Sequence, residues 1–262
     1  MMAKKLIVLV LILLLSALAA SWAGSWALKG LAQDEASALA ESAFGQPALQ
    51  LDQALLGRLP AALARHLKAS GMAGQVLPRF ARFTEDGRAH LGLPGPDPMR
   101  YQASIWVSLT EPGAVWDVQA GFPLCPLYGL RERLAFGQGQ SLCKSLNLFD
   151  RPQVQGPALT QALLCRWLRA LAVVPGGLAA APLKWRSLGP HAAEATASAK
   201  GLRAVAVFHL GPDGLFESLS WGKAEPAILL KGYQAVDGLK APTRLVCEGV
   251  ESSVQGLELD RP

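Results

Sequence analysis

Two stretches of the chain alternate apolar and polar residues with a period of two. Tyr101, Ala103, Ile105, Val107 and Leu109 alternate with Gln102, Ser104, Trp106 and Ser108. After Glu111-Pro112-Gly113, Ala114, Trp116, Val118 and Ala120 alternate with Val115, Asp117 and Gln119. Period-two patterning on both sides of a Pro-Gly turn predicts a β-hairpin. Pairing Leu109 with Ala114 puts both apolar sets on one face, and a slip of one residue would turn one set to the other face. That register sets Trp106 opposite Asp117. A second hairpin follows the same logic. Ala204, Ala206, Phe208 and Leu210 share a face, Gly211-Pro212-Asp213-Gly214 turns the chain, and Leu215, Leu219 and Trp221 return on that face. Here Ala204 stands opposite Trp221, and Glu217 breaks the face opposite Phe208.

Between the hairpins, Ala158 to Val174 carries a helical period. Leu159, Leu163, Leu164, Trp167, Leu168, Leu171 and Val174 cover about half the circumference, with Gln161, Arg166 and Arg169 on the other side. Cys165 falls on that polar side. Pro175-Gly176-Gly177 ends the helix. Shorter helices are predicted over Asp34–Phe44 and Pro60–Ser70, the second with proline at its first position and Gly71 at its end. Gly92–Pro98 reads as a loop. Further strands are predicted near Arg79–Phe83, Leu183–Arg186, Glu194–Ala199, Tyr233–Val236, Arg244–Val250 and Val254–Leu259. Hairpin-linked strands with few helices between them predict an α+β fold: a curved, half-barrel-like antiparallel sheet covered by a few helices. The βαβ alternation of a doubly wound nucleotide fold is missing.

The N-terminus sets the compartment. Lys4 and Lys5 precede an apolar run from Leu6 to Ala20 broken only by Ser16. As a helix this run is roughly 22 Å long, short of a hydrocarbon core of about 30 Å; extended to Leu28 it reaches roughly 34 Å. Ala17-Leu18-Ala19 fits a signal-peptidase site, whereas Trp22 and Trp26 before Lys29 fit the interfacial belt of an uncleaved anchor. Both readings stay open. Either way the basic head remains inside and the rest crosses, which places the protein in the bacterial cell envelope, anchored in the inner membrane or released to the periplasm. The division is then 1–30 as signal peptide or anchor, 31–58 as helical linker, and 59–262 as one antiparallel α+β domain.

Composition narrows the function. The 262 residues are 51% hydrophobic and 17% charged, too apolar for a disordered chain. The net charge of +5 includes Lys4 and Lys5, and the remaining basic residues are scattered, so nucleic acid is not an expected partner. Cys125, Cys143, Cys165 and Cys247 permit three complete disulfide pairings in an oxidising compartment. H-E-x-x-H, G-x-S-x-G and Walker patterns are absent. Gly137-Gln138-Gly139 lacks the third glycine of a dinucleotide fingerprint. His66, His90, His191 and His209 are far apart in sequence, so neither a metal nor a cofactor is expected. The tryptophans are the remaining signal. Most belong to the core, but some could line a cavity between sheet and helix.

The order of segments resembles a bacterial family of uncharacterised proteins known as domain of unknown function 6544. The resemblance covers roughly Leu59 to Val250. It is carried by Leu59-Pro60, Gly113-Ala114-Val115-Trp116-Asp117, Arg131-Glu132-Arg133 through Gly137-Gln138-Gly139, Arg166-Trp167-Leu168 followed by Pro175, and Leu183-Lys184-Trp185. Ala170 stands where the family pattern has an acidic residue, Val173 where it has an aromatic one, and Glu132 and Leu134 where it has an Asp and a Tyr. The resemblance implies no activity.

The expectation is a non-enzymatic envelope protein, tied to the membrane by its N-terminal helix, that binds a lipid or other apolar small molecule between sheet and long helix. The ligand-binding candidates are Trp106, Trp116, Asp117, Arg133, Trp167, Trp185, Glu217 and Trp221, with Trp167 facing the ligand. Two alternatives are carried. One is a hydrolase-like enzyme with a site assembled from Asp117, Glu132, Arg133 and Glu217. The other is a membrane-associated scaffold.

Overall fold

Antiparallel pairing of successive strands builds most of the protein. The computed structural model describes residues 2–89, 98–122, 125–222, 227–248 and 250–260. His90 and, apart from Pro98, the loop predicted over Gly92–Pro98 lie outside the described residues. Three helices, α1 (Met2–Phe44), α2 (Gln53–Arg58) and α3 (Ala61–Ala69), lead into a meander of β1 (Phe80–Ala89), β2 (Met99–Ser108), β3 (Gly113–Phe122), β4 (Cys125–Ala135) and β5 (Gln138–Ser145). Short strands β6 (Phe149–Asp150) and β7 (Val154–Gln155) precede the long helix α4 (Pro157–Val173) and the single turn α5 (Gly177–Ala180). The second half contributes β8 (Lys184–Ser187), β9 (Ala192–Ala199), β10 (Leu202–Leu210), β11 (Phe216–Ser220) and β12 (Ile228–Lys231). A small hairpin of β13 (Gln234–Val236) and β14 (Leu239–Ala241) follows, then β15 (Arg244–Cys247) and β16 (Val250–Leu259). The main sheet runs β6-β5-β4-β3-β2-β1-β16-β15-β12-β11-β10-β9-β8, every pair antiparallel, with β7 beside β5.

The sheet is open but strongly curled. Helix α4 touches both β5 and β10, which have eight strands between them in the sheet order. Laid flat, those strands would separate β5 from β10 by roughly 43 Å, while a helix is about 10 Å across. The sheet must therefore wrap around α4. The tips agree with this: a Cβ on Gly137 in the β4–β5 turn would lie 2.7 Å from the Lys200 side chain in the β9–β10 turn.

The hairpins form where the alternation places them, in shifted registers. Val107, not Leu109, pairs with Ala114, because Leu109 leaves the ladder and donates its N–H to Arg79 O at 2.9 Å. The shift is two residues, so the faces are unchanged. Trp106 now opposes Val115, and Asp117 opposes Ser104. In the second hairpin Phe208 pairs with Leu219, and an irregularity beyond His209 brings Leu210 opposite Phe216. That irregularity turns Phe216 inward and leaves Glu217 exposed, so Glu217 does not break the apolar face. The Gly137-Gln138-Gly139 segment is structural. Phe136 and Gly137, at φ 52° and 70°, make the two-residue turn into β5. Gly139 lies under α4, where a Cβ would approach Thr160 Cα to 2.9 Å.

Two layers cover the sheet. Inside the curl, Trp167 is fully buried and donates its indole N–H to Ser108 O at 2.9 Å, the acceptor a buried tryptophan needs. Outside it lies α1. The predicted Asp34–Phe44 helix is the end of this single 43-residue helix, which has no proline to interrupt it. Ala32, Ala36, Leu39, Ala40 and Ala43, spaced three or four apart, pack on Phe80, Trp106 and Val115. Glu35 accepts from Arg131 at 2.7 Å and lies 3.6 Å from Arg133. The helix is also long and apolar enough to cross a membrane.

Helix α3 closes one flank through His66, which stacks on Phe216 and accepts its N–H at Nδ1 over 3.1 Å. Burial pushes the imidazole pKa down from 6.5 to about 4, against the opposing charge of Asp213. Between those values the unfolded chain binds a proton that the native chain refuses. Stability is therefore expected to fall by roughly 3 kcal/mol as pH drops from 6.5 to 4, then level off. Urea melts of the full chain across that range should show this slope, and His66→Gln should flatten it.

Candidate ligand cavity between the sheet and helix α4

Inward-facing residues of adjacent strands share one face because side chains alternate along a strand. Phe83 and Glu85 from β1, Tyr101 and Ile105 from β2, and Trp116 and Val118 from β3 therefore look toward α4. With Leu130 and Leu245 they line a cavity of about 210 Å³. Helix α4 supplies the opposite wall through Arg166, Arg169, Ala170 and Val173, residues at i, i+3, i+4 and i+7 on one stripe.

The cavity is apolar apart from one charged corner. Glu85 is buried and accepts from the Tyr101 hydroxyl and from Arg169. Burial acts to raise its pKa, but the Arg169 charge and hydrogen bonds from Tyr101, Ser252 and Arg169 outweigh that and hold it below the usual carboxylate value. Burial, and then the neighbouring Glu85 charge, push the Tyr101 phenol well above its ordinary value. Arg166 pairs with Glu132, which points inward from β4 opposite Trp116. Its pKa is lowered, first by burial and then by the nearby Arg169 charge. Yet the side chains of Arg166 and Arg169 keep 39% and 28% of their surface accessible. Wrapped by the sheet and still accessible, they face the cavity. A guanidinium has five N–H donors in a fixed fork, more than one carboxylate satisfies.

Of the residues singled out in the sequence, Trp116 lines the cavity. Trp106, Asp117 and Arg133 lie on the outer face beneath α1. There Arg82 sits over the Trp106 ring at 5.6 Å, and burial raises the Asp117 carboxyl pKa against a hydrogen bond from Gln119 and the charge of Lys29. Trp167 is in the packed core rather than on the cavity wall. Trp185 sits 5.8 Å from the Phe208 ring, Trp221 is half-buried just beyond β11, and Glu217 is exposed. Asp117 and Glu132 occupy opposite faces of the sheet, so the carboxylates named for a hydrolase do not gather in one cleft. Cys165 is half-buried against the core, not on a polar surface. The residues that sequence reasoning passed over are Glu85, Tyr101, Arg166 and Arg169. The available signal was period two through Ala81, Phe83 and Glu85, with the i, i+3 spacing of the two arginines.

A model of a family of unknown function (DUF6544) matches residues 49–247, and the chain belongs to that family. Every residue lining the cavity falls inside the matched stretch. No curated protein matches the chain.

Proposed function

We propose that this member of the family is a non-enzymatic envelope protein, held at the outer face of the inner membrane, whose cavity binds a lipid or other small amphipathic molecule with an anionic group. The carrying observation is the pair of arginines that, with Glu85 and Tyr101, forms the one polar corner of a cavity lined elsewhere by apolar side chains. Phe83, Ile105, Trp116, Val118 and Leu245 suit a hydrocarbon segment, while Arg166 and Arg169 suit a carboxylate or phosphate at its end. About 210 Å³ suits a short chain or one end of a longer one. The envelope assignment is supported by the apolar helix behind Lys4 and Lys5.

The test is native mass spectrometry of the full chain purified from its own membranes in mild detergent, followed by organic extraction. A one-to-one amphipathic adduct is expected. Arg166→Ala should weaken its retention by roughly ten- to a hundredfold, the worth of a charge-assisted hydrogen bond of about 1.5–3 kcal/mol. Trp106→Phe, on the outer face, should leave retention unchanged. A clean apo mass that persists after a total lipid extract is offered overturns the ligand reading and favours a scaffold.

A further inference from the structure

The depth of the folded domain on α1 conflicts with the length of helix a bilayer needs, and the conflict is resolved at one end of the sheet. Residues 4–20 of α1 are exposed on every side, and Ser21, only 4% exposed, is the first residue after them that the domain covers. Three residues on, the turn between β5 and β6 lies directly against the helix: a Cβ on Gly24 would stand 1.9 Å from Asn147 O. A helix needs about 20 residues to cross a hydrocarbon core of about 30 Å. Counted from Leu6, just past the basic head, that reaches residue 25. The β5–β6 turn therefore occupies a level of the helix that the membrane boundary also claims.

The side chains at that end are fitted for such a place. Leu146 opens the turn and is 39% exposed, Phe149 follows it in β6 at 64%, and Phe122 ends β3 at 68%. Pairing holds them at one end: Ser145 opposes both Phe149 and Tyr128, and Leu146 N–H donates to Leu127 O at 2.7 Å. Trp22 and Trp26 flank the same level of α1, both exposed. Arg151 stands just behind the tip, over the Tyr128 ring, where a headgroup phosphate would meet it. Apolar tips backed by aromatic and basic residues are the make-up of a surface that enters the interfacial layer by about 5–10 Å.

We propose that Phe122, Leu146 and Phe149 form a membrane-docking edge that dips into the same bilayer α1 crosses, so that the domain rests on the lipid surface. This rests on the reading of α1 as an uncleaved anchor, and the test separates the two. The full chain is reconstituted in vesicles of phosphatidylethanolamine and phosphatidylglycerol with p-benzoylphenylalanine at position 122, 146, 149 or 136. Phe136 is the control, because it is 70% exposed but lies at the far end of β4, beside Ala38 and Leu39 of α1. Ultraviolet irradiation should attach lipid several-fold more at 122, 146 and 149 than at 136. Intact mass and resistance to alkaline carbonate report on the anchor separately. An anchored, full-length chain with lipid attachment no greater at the three tip positions than at 136 overturns the docking edge. A chain cleaved or released by carbonate that still attaches lipid at the tips keeps the edge and overturns the anchor. Release without attachment overturns both.

Discussion

Replacing Trp167 with alanine is expected to lower the unfolding free energy by about 3–5 kcal/mol, the range for deleting a large aromatic side chain from a packed core. The indole is fully buried where α4 meets the inner face of the sheet, and its N–H is the donor to Ser108 O. Trp167→Phe keeps most of the volume and loses the hydrogen bond, so its expected cost is smaller, about 1–2 kcal/mol. Denaturant melts of the full chain in mild detergent, followed by circular dichroism, give both values. Because Trp167 does not line the cavity, Trp167→Phe should still retain ligand. Lost binding by a well-folded Trp167→Phe protein would place the ligand elsewhere.

Glu85→Ala is expected to cost about 3 kcal/mol, because it leaves the half-buried Arg169 without its carboxylate and the Tyr101 hydroxyl without its acceptor. Arg169→Met alone should do the same by stranding Glu85. The double variant Glu85→Leu with Arg169→Met should lose much less than the sum, since no unpaired charge remains. Acid provides a second readout. The native carboxylate binds its proton less readily than the unfolded one, so its contribution is complete above the ordinary value of 4.5 and disappears as pH falls below it through the native value. Melts below pH 4.5 should therefore steepen in the wild type relative to Glu85→Gln. Equal slopes in the two proteins would show that the Arg169 pairing does not stabilise the fold.

What could be read from the sequence tracks what a one-dimensional pattern contains. Alternation fixes which face a residue takes, so the inner face of β2 and β3, Trp116 included, was legible. It does not fix register beyond parity. The hairpins consequently slid by two residues, and the irregularity that frees Glu217 was invisible. Strand β4 gave no signal because both its faces are covered. Arg131 and Arg133 meet Glu35 of α1 on one side and Glu132 meets Arg166 on the other, so charge replaces alternation. The same wrapping hid the cavity's charged corner. A helical wheel sets Arg166 and Arg169 opposite the apolar face, which for a helix lying on a flat sheet means water. Here the sheet curls far enough around α4 that the polar side is enclosed as well. The helix predicted over Asp34–Phe44 is not a separate element, for a simpler reason. Asp34 and Glu35 look like a new start, while the unbroken run of hydrogen-bonding residues lets one helix pass straight through.

The pairing of β1 with β16 bears on how the chain acquires this shape. Ala81 lies beside Leu259, and β1 has β2 on its other side, so the middle of the sheet is closed by segments from opposite ends of the domain. The hairpins of each half are local and form quickly, whereas a contact of such sequence separation is slow. A chain fed across a membrane from its N-terminus would display β1 as an open edge, with unpaired N–H and C=O groups, throughout synthesis of the second half. Leu245 and Ser252, which complete the cavity wall and the Glu85 network, arrive with the same late segment. Folding yield should thus hinge on that final docking, and a chaperone that shields the waiting β1 edge would act at this step.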